Sequence, residues 1–242
     1  MTTSIRPVRF GQRTTACGGA LLIPASSEPV PAVVIAPAIA GANGYIDGVA
    51  EELAQCGYAC LAIDYFVRDG GPPDLTSPEK TMAAVASLPD RRVLADLVAA
   101  RDYLRSLPQI AGQRMGMLGF CIGGSYALFA AGQELGFRAA VAFYGLIRYR
   151  ELTEHKPTSP LDALGALTCP LLAHYGDADH LVPASDVEAL REHTRGQPAE
   201  IYVYPGAGHA FHESHRPDVH RAVAAHGAWQ RTLVHLNWNL GS

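Results

Sequence analysis

The stretch "MLGFCIGGSYA", residues 117–127, decides the fold. An apolar run, "RMGMLGF" (114–120), has the length and character of a buried strand. Residues 122–133 are almost wholly apolar and read as a buried helix. Cys121 stands between them, flanked by Gly119 and Gly123 with a further glycine at Gly124. A sharp strand-to-helix turn strains the backbone of its central residue, and flanking glycines remove the Cβ atoms that would clash. The side chain of Cys121 then projects at the carboxyl end of the sheet, where open α/β sheets bind ligands. It also sits at a helix start, whose partial positive charge favours an anion. The N–H of Ile122, in the first helical turn, is free to donate to an oxyanion. A packing cysteine needs no strained turn, so Cys121 reads as a nucleophile. Cys17, Cys56, Cys60 and Cys169 read as small hydrophobes.

Strands and helices alternate on both sides of this motif. "PAVVIAP" (31–37), "ACLAID" (59–64), "AAVAFYG" (139–145), "CPLLAHYG" (169–176) and "AEIYVYP" (199–205) read as further strands. Ile46, Val49, Ala50, Leu53 and Ala54 recur at helical spacing, with Gly57 as a stop. Val93, Leu94, Leu97, Val98, Leu104 and Leu107 mark a second helix, and residues 184–195 a third. Pro217 is expected to open the last helix, with Trp229, Leu233 and Leu236 on one side. The alternation predicts a mainly parallel sheet with helices on both faces. No repeat and no linker divides the chain, so residues 1–242 are expected to form one domain. The longest irregular stretch is 65–90, a candidate lid.

A nucleophile needs a base, and the base an orienting acid. "HYGDADHLVP" (174–183) and "YPGAGHAFH" (204–212) each follow a strand directly, on the sheet edge that carries Cys121. Small residues before His209 let its ring reach the thiol. Asp177 and Asp179 are both candidates for the acid, although an aspartate here can also serve only its own turn. The order nucleophile, acid, histidine is that of α/β hydrolases.

"GFCIGG", "GDADHLVP" and "GAGHAF" together resemble the dienelactone hydrolase family, cysteine-nucleophile α/β hydrolases, from about Val33 to the last helix. "GLIRY" and "YACLAIDYF" fit as well. The resemblance implies the α/β-hydrolase fold and a Cys121–His209–Asp179 triad cleaving ester or lactone bonds. It picks Asp179 over Asp177, because Asp179 directly precedes "HLVP". It also implies a second oxyanion donor, the backbone N–H of Ile39. Two positions depart from the family. Ala38 stands where a glutamate is usual, and Glu213 where an arginine meets the substrate carboxylate. Lys80 is the only basic residue between Gly70 and Asp90, leaving Arg68 and Arg216 as further candidates for a clamp. A neutral ester or lactone is the expected substrate. Phe66 and Tyr144 are candidate pocket walls.

Composition narrows the rest. The 242 residues carry a net charge of −4, with no basic run to hold nucleic acid or an anionic membrane. No apolar stretch reaches a membrane span, and "MTTSIRPVRF" has no signal-peptide core. Five cysteines without metal or disulfide spacing suit a reducing cytoplasm. No cofactor is called for, and the chain is expected to act as a monomer or small homo-oligomer. His209, His212, His215 and His220 raise a metal site as a rival, which Pro217 and the polar surroundings disfavour. A redox thiol, a non-catalytic ligand-binding role on the same scaffold and a broad short-chain carboxylesterase are the other readings.

Overall fold

Valine- and isoleucine-rich runs flanked by helical spacing build an open, twisted sheet covered on both faces. The computed structural model describes residues 4–11 and 16–241; the first three residues of the N-terminal stretch and the final Ser242 lie outside them. The strands are β1 (Arg6–Phe10), β2 (Cys17–Leu22), β3 (Val30–Ala36), β4 (Ala59–Asp64), β5 (Ile110–Phe120), β6 (Ala139–Phe143), β7 (Leu171–Gly176) and β8 (Ala199–Tyr204). Their order across the sheet is β1-β2-β4-β3-β5-β6-β7-β8. β1–β2 and β2–β4 pair antiparallel and every other pair is parallel.

The helices are α1 (Gly44–Gln55), α2 (Pro78–Ser87), α3 (Asp90–Ser106), α4 (Ile122–Gly132), α5 (Pro160–Ala163), α6 (Ala184–His193) and α7 (Ala222–Leu240). β3 shows how one strand serves two cores. Ala32, Val34 and Ala36 face the cluster with α3 and α4, while Val33 and Ile35 face the one with α1 and α7. The side chain of Asn43 accepts from the N–H groups of Tyr45 and Ile46 and starts α1. Gly57, at φ +88°, ends the turn after it, as expected.

Three expectations are corrected. β1 and β2 add an antiparallel flap that apolar runs did not reveal. β2 contains Gly18 and Gly19 because it passes too close for a side chain: a Cβ on Gly19 would stand 2.4 Å from the carbonyl oxygen of Ala62. The stretch 65–90 is not wholly irregular, since Ser77 caps α2 by accepting from the Lys80 N–H, with Pro78 in its first turn. The last helix starts at Ala222, not Pro217. Residues before it fold back in turns, where the Arg221 N–H donates to the carbonyl of Phe211 at 3.0 Å.

Parallel pairing aligns the strand ends that matter. Ala36 pairs with Gly119, Phe120 with Phe143, and Phe143 with His174. Gly176 pairs with Tyr204. The loops after β3, β5, β6, β7 and β8 therefore leave from one edge.

Candidate active site

Cys121 is the N-cap of α4, with φ +55° and ψ −119°. That conformation costs an L-residue of order 1–3 kcal/mol, and it persists because the surroundings fix it. The Cys121 N–H donates to Phe143 O at 3.0 Å, and Ser125 N–H donates to Cys121 O at 3.2 Å. The glycines are required by contact. A Cβ on Gly119 would lie 1.9 Å from Gly123 O, and one on Gly123 would lie 1.9 Å from Ala36 O. The thiol makes no capping bond, so it is not spent on holding the helix start. Among the described residues the non-glycine positions at positive φ are Cys121, Tyr144 and Ala210, all at this edge.

Asp179 is buried and fully bonded. Its Oδ1 accepts from Leu181 N–H at 2.8 Å and Val182 N–H at 3.2 Å. Its Oδ2 faces His209 Nδ1 at 2.9 Å. Asp177 does not compete: its Oδ1 accepts from Gly206 N–H at 2.7 Å and holds the turn after β8. The two candidates that the sequence left open are thus separated, one bonded to the ring and one to backbone. His209 Nε2 is buried without a hydrogen-bond partner, and Cys121 is the neighbour whose attraction acts most strongly on the ring. Burial opposes charge on the imidazole. The attraction of Cys121 and the hydrogen bond to Asp179 outweigh it and push His209 up to about 10.

Cys121 and His209 open into a cavity of about 510 Å³. Ile39 lines it; Ile122 starts α4 and is fully buried. Neither backbone N–H donates to a turn or loop carbonyl among the described residues. A larger groove of about 760 Å³ runs between β8 and α7, but it holds neither the thiol nor the His209–Asp179 pair.

Phe66 and Tyr144 are not among the cavity-lining residues. Phe66 packs edge-on against Tyr65, with centroids 5.9 Å apart, and Tyr144 is a buried support whose ring stands 5.2 Å from that of His209. Both were drawn inward because aromatic rings beside strand ends fill the core. The space is lined instead by α2 (Thr81, Met82, Val85), by Tyr45 of α1, by the turn after His209 and by the loops after β3 and β7. Tyr45 donates to, or accepts from, His212 Nδ1 at 2.7 Å, and burial pushes His212 down to about 4.

The two family departures meet here. Ala38 lines the cavity, as does Glu213, which is 7% exposed and pairs with Arg216 at 3.2 Å. Arg216 lines it too, whereas Arg68 pairs with Asp96 away from it and Lys80 pairs with Asp74 at the surface. The histidines proposed as metal ligands part company: His209 turns to Asp179, and His212 to Tyr45. Among the described residues no group of three or more His, Cys, Asp or Glu side chains is placed to hold a metal ion.

The model of the dienelactone hydrolase family matches residues 17–239. The chain belongs to the dienelactone hydrolase family. A Bradyrhizobium protein named "Probable 2-oxo-3-(5-oxofuran-2-ylidene)propanoate lactonase" is 44% identical over 222 residues, 90% of this chain and 87% of the relative. An Escherichia coli K12 protein named as a carboxymethylenebutenolidase is 36% identical, covering 86% of this chain and 77% of its own length. A crystal structure described as a dienelactone hydrolase from Klebsiella pneumoniae superposes with a TM-score of 0.87 at 29% identity, covering 96% of this chain and 98% of that one. The dienelactone hydrolase family is one of α/β-hydrolase fold, and this member is an ester or lactone hydrolase. No helix among the described residues is long and apolar enough to cross a membrane.

Proposed function

We propose that this hydrolase works through a Cys121–His209–Asp179 triad on an ester or lactone that is neutral around the scissile bond. The observation that carries the reading is the 2.9 Å bond from His209 to the buried Asp179, with His209 and a cysteine held at positive φ lining one cavity. Asp179 fixes the ring with Nδ1–H towards it and leaves Nε2 for the thiol. The proton of Cys121 is carried on Nε2, and the sulfur attacks the carbonyl as a thiolate. The oxyanion accepts from the Ile39 and Ile122 N–H groups; losing one such donor typically costs about 10²–10³ in rate. His209 returns the proton to the departing alkoxide. It then takes a proton from water, whose hydroxide cleaves the thioester to the acid and restores the thiol. Alkoxides suit this sequence better than amines, because a poor leaving group lets the thiolate depart first.

Glu213, a buried carboxylate on the cavity wall where the family has an arginine, supports a neutral reacting end. A second reading, an anionic lactone, draws on one observation: Arg216 lines the cavity. The Bradyrhizobium relative's name, a propanoate lactonase, adds to it.

The test is hydrolysis of p-nitrophenyl acetate beside cis- and trans-dienelactone, by wild type, Cys121→Ala and iodoacetamide-treated protein. Neutral-ester turnover that needs Cys121 supports the first reading, and faster dienelactone turnover the second. Full esterase activity in Cys121→Ala would overturn the mechanism.

A further inference from the structure

A second chamber of about 240 Å³ shares Met82, Val85, Leu146 and Leu181 with the catalytic cavity. The shared residues are all apolar, so a greasy sleeve stands where the two spaces meet. Beyond the sleeve the lining turns polar, with Tyr149, Arg148, Arg150 and Thr153.

The loop that forms this far end is fixed. The Asp90 N–H donates to His155 O at 3.0 Å, and Tyr149 N–H donates to Ser159 Oγ at 2.9 Å. Beneath it, Lys156 Nζ reaches Asp90 Oδ1 at 2.5 Å and Tyr126 OH at 3.1 Å, with both charged side chains almost fully buried. Tyr149 OH also donates to Asp90 Oδ1, at 3.2 Å. An ion pair of this kind stabilises weakly but fixes geometry. The chamber is therefore preformed.

Its charges decide what fits. Lys156 is committed to Asp90, and Arg148 lies between Asp162 at 3.4 Å and Asp186 at 3.6 Å. Arg150 has no ion-pair partner among the described residues, but Glu151 lines the same space. Four carboxylates thus stand against three cations, so the chamber offers guanidinium donors without a net attraction for anions. That suits a neutral hydrogen-bond acceptor such as a carbonyl or ether oxygen.

We propose that the two chambers form one substrate channel. The second takes the non-reacting arm of the ester or lactone: an apolar chain that crosses the sleeve and ends in a neutral acceptor oxygen. At ~30 Å³ per water-sized volume the chamber holds about six to eight non-hydrogen atoms. The proposal rests on hydrolysis at Cys121, and it adds the shape and polarity of the substrate's remote end. Binding of a remote arm raises kcat/KM without changing the chemistry.

The experiment reads both arms of the ester. p-Nitrophenyl acetate, butyrate, hexanoate and octanoate lengthen the acyl side, and ethyl, butyl and hexyl acetate the alcohol side. One series is expected to gain about two- to fourfold in kcat/KM per methylene before levelling. Ala86, at the exposed rim, lines the second chamber alone. Ala86→Phe is expected to cut the long-to-short ratio about tenfold, and Ala86→Leu by less, which covers the case in which the phenylalanine variant does not fold. A binding arm of the experiment is independent of turnover: 2-octanone should protect Cys121 from iodoacetamide better than 2-butanone does. Octane-2,7-dione should protect better still, an advantage that Arg150→Leu removes. Series flat on both sides, with equal protection by short and long ketones, would overturn the proposal. So would a chain-length gain that both Ala86 variants leave intact. Loss of p-nitrophenyl acetate turnover in wild type, with long ketones still protecting, would instead count against the triad mechanism.

Discussion

Glu213 and Arg216 face each other at 3.2 Å on the wall of the catalytic cavity, the carboxylate buried and the guanidinium half exposed. The pair makes that wall nearly neutral, with the negative end held deeper. Glu213→Gln removes the charge at nearly constant volume and frees Arg216. A unit charge at a few ångströms is worth about 1 kcal/mol in water and more near a protein surface. The expected outcome is a gain of roughly tenfold in kcat/KM for an anionic lactone relative to p-nitrophenyl acetate. An unchanged ratio would mean that Glu213 does not meet the substrate.

Asp179 accepts from two backbone N–H groups and the His209 ring. Asp179→Asn keeps the shape but offers the ring an N–H, which favours the wrong tautomer. By analogy with other triads the loss in kcat is of order 10²–10⁴. Asp177→Asn, which touches only the Gly206 turn, should stay within about threefold of wild type. Equal losses in both variants would remove the distinction between the two aspartates.

The His209 shift makes a pH prediction. Burial disfavours the charged ring, but the attraction of Cys121 and the hydrogen bond to Asp179 exceed it and lift the folded value from 6.5 to about 10. A raised value means that the stabilisation is complete below about 6.5 and is lost as pH rises through about 10. The difference in Tm between wild type and His209→Gln should therefore shrink from pH 6.5 to pH 10, and kcat/KM should fall on the alkaline side near the upper value. A constant difference across that window would show that the ring is not held in its charged form.

His174 behaves oppositely. It is fully buried on β7, with Nε2 3.2 Å from Thr232 Oγ1 and Nδ1 3.0 Å from Tyr204 OH. Burial, then the charges of His212, Arg231 and His235, hold it well below 6.5. A lowered value for a base means stability present above about 6.5 and lost as pH falls below it, because the unfolded chain takes up a proton that the folded one refuses. Tm should drop between pH 6.5 and pH 5, and the slope should flatten in His174→Gln. That variant should also be less stable at pH 7.5, by about 1 kcal/mol for an imperfect hydrogen-bond replacement. Parallel Tm profiles for the two proteins would assign the acid limb to other groups.

Parts of this site could be read from the chain alone because their signals are local. Cys121 is framed by glycines within two residues, and the frame is dictated by contacts as short as 1.9 Å. Asp179 and Asp177 are two residues apart with similar neighbours; only the path of the loop after β7 decides which carboxylate meets His209. Tyr45 and Met82 left no local signal, because the cavity wall is assembled from α1, α2 and the turn after His209. α2 did leave one: Ser77, Pro78 and Glu79 are a cap, a first-turn proline and a first-turn acid, hidden among the glycines and prolines before them. β1 and β2 are short and close-packed, and β2 spends two positions on glycine, so apolar periodicity was too weak to show them.

Glycines in two settings give the last prediction. On Gly123 an added Cβ would stand 1.9 Å from Ala36 O and 2.7 Å from Pro37 O, backbone atoms at the end of β3 and the start of the loop that carries Ile39. Neither can move without shifting β3 against β5, so Gly123→Ala should lose more than about 3 kcal/mol, the upper range for overpacking, together with activity. Gly48 lies inside α1, where a Cβ would meet nothing within 4 Å. Alanine there lowers the entropy of the unfolded chain and raises helix propensity, so Gly48→Ala should gain about 0.5–1 kcal/mol. Urea unfolding of both variants beside wild type reads the two effects. A stable, active Gly123→Ala protein would show that the turn at Cys121 is looser than its contacts require, and would weaken the case that strain there serves the thiol.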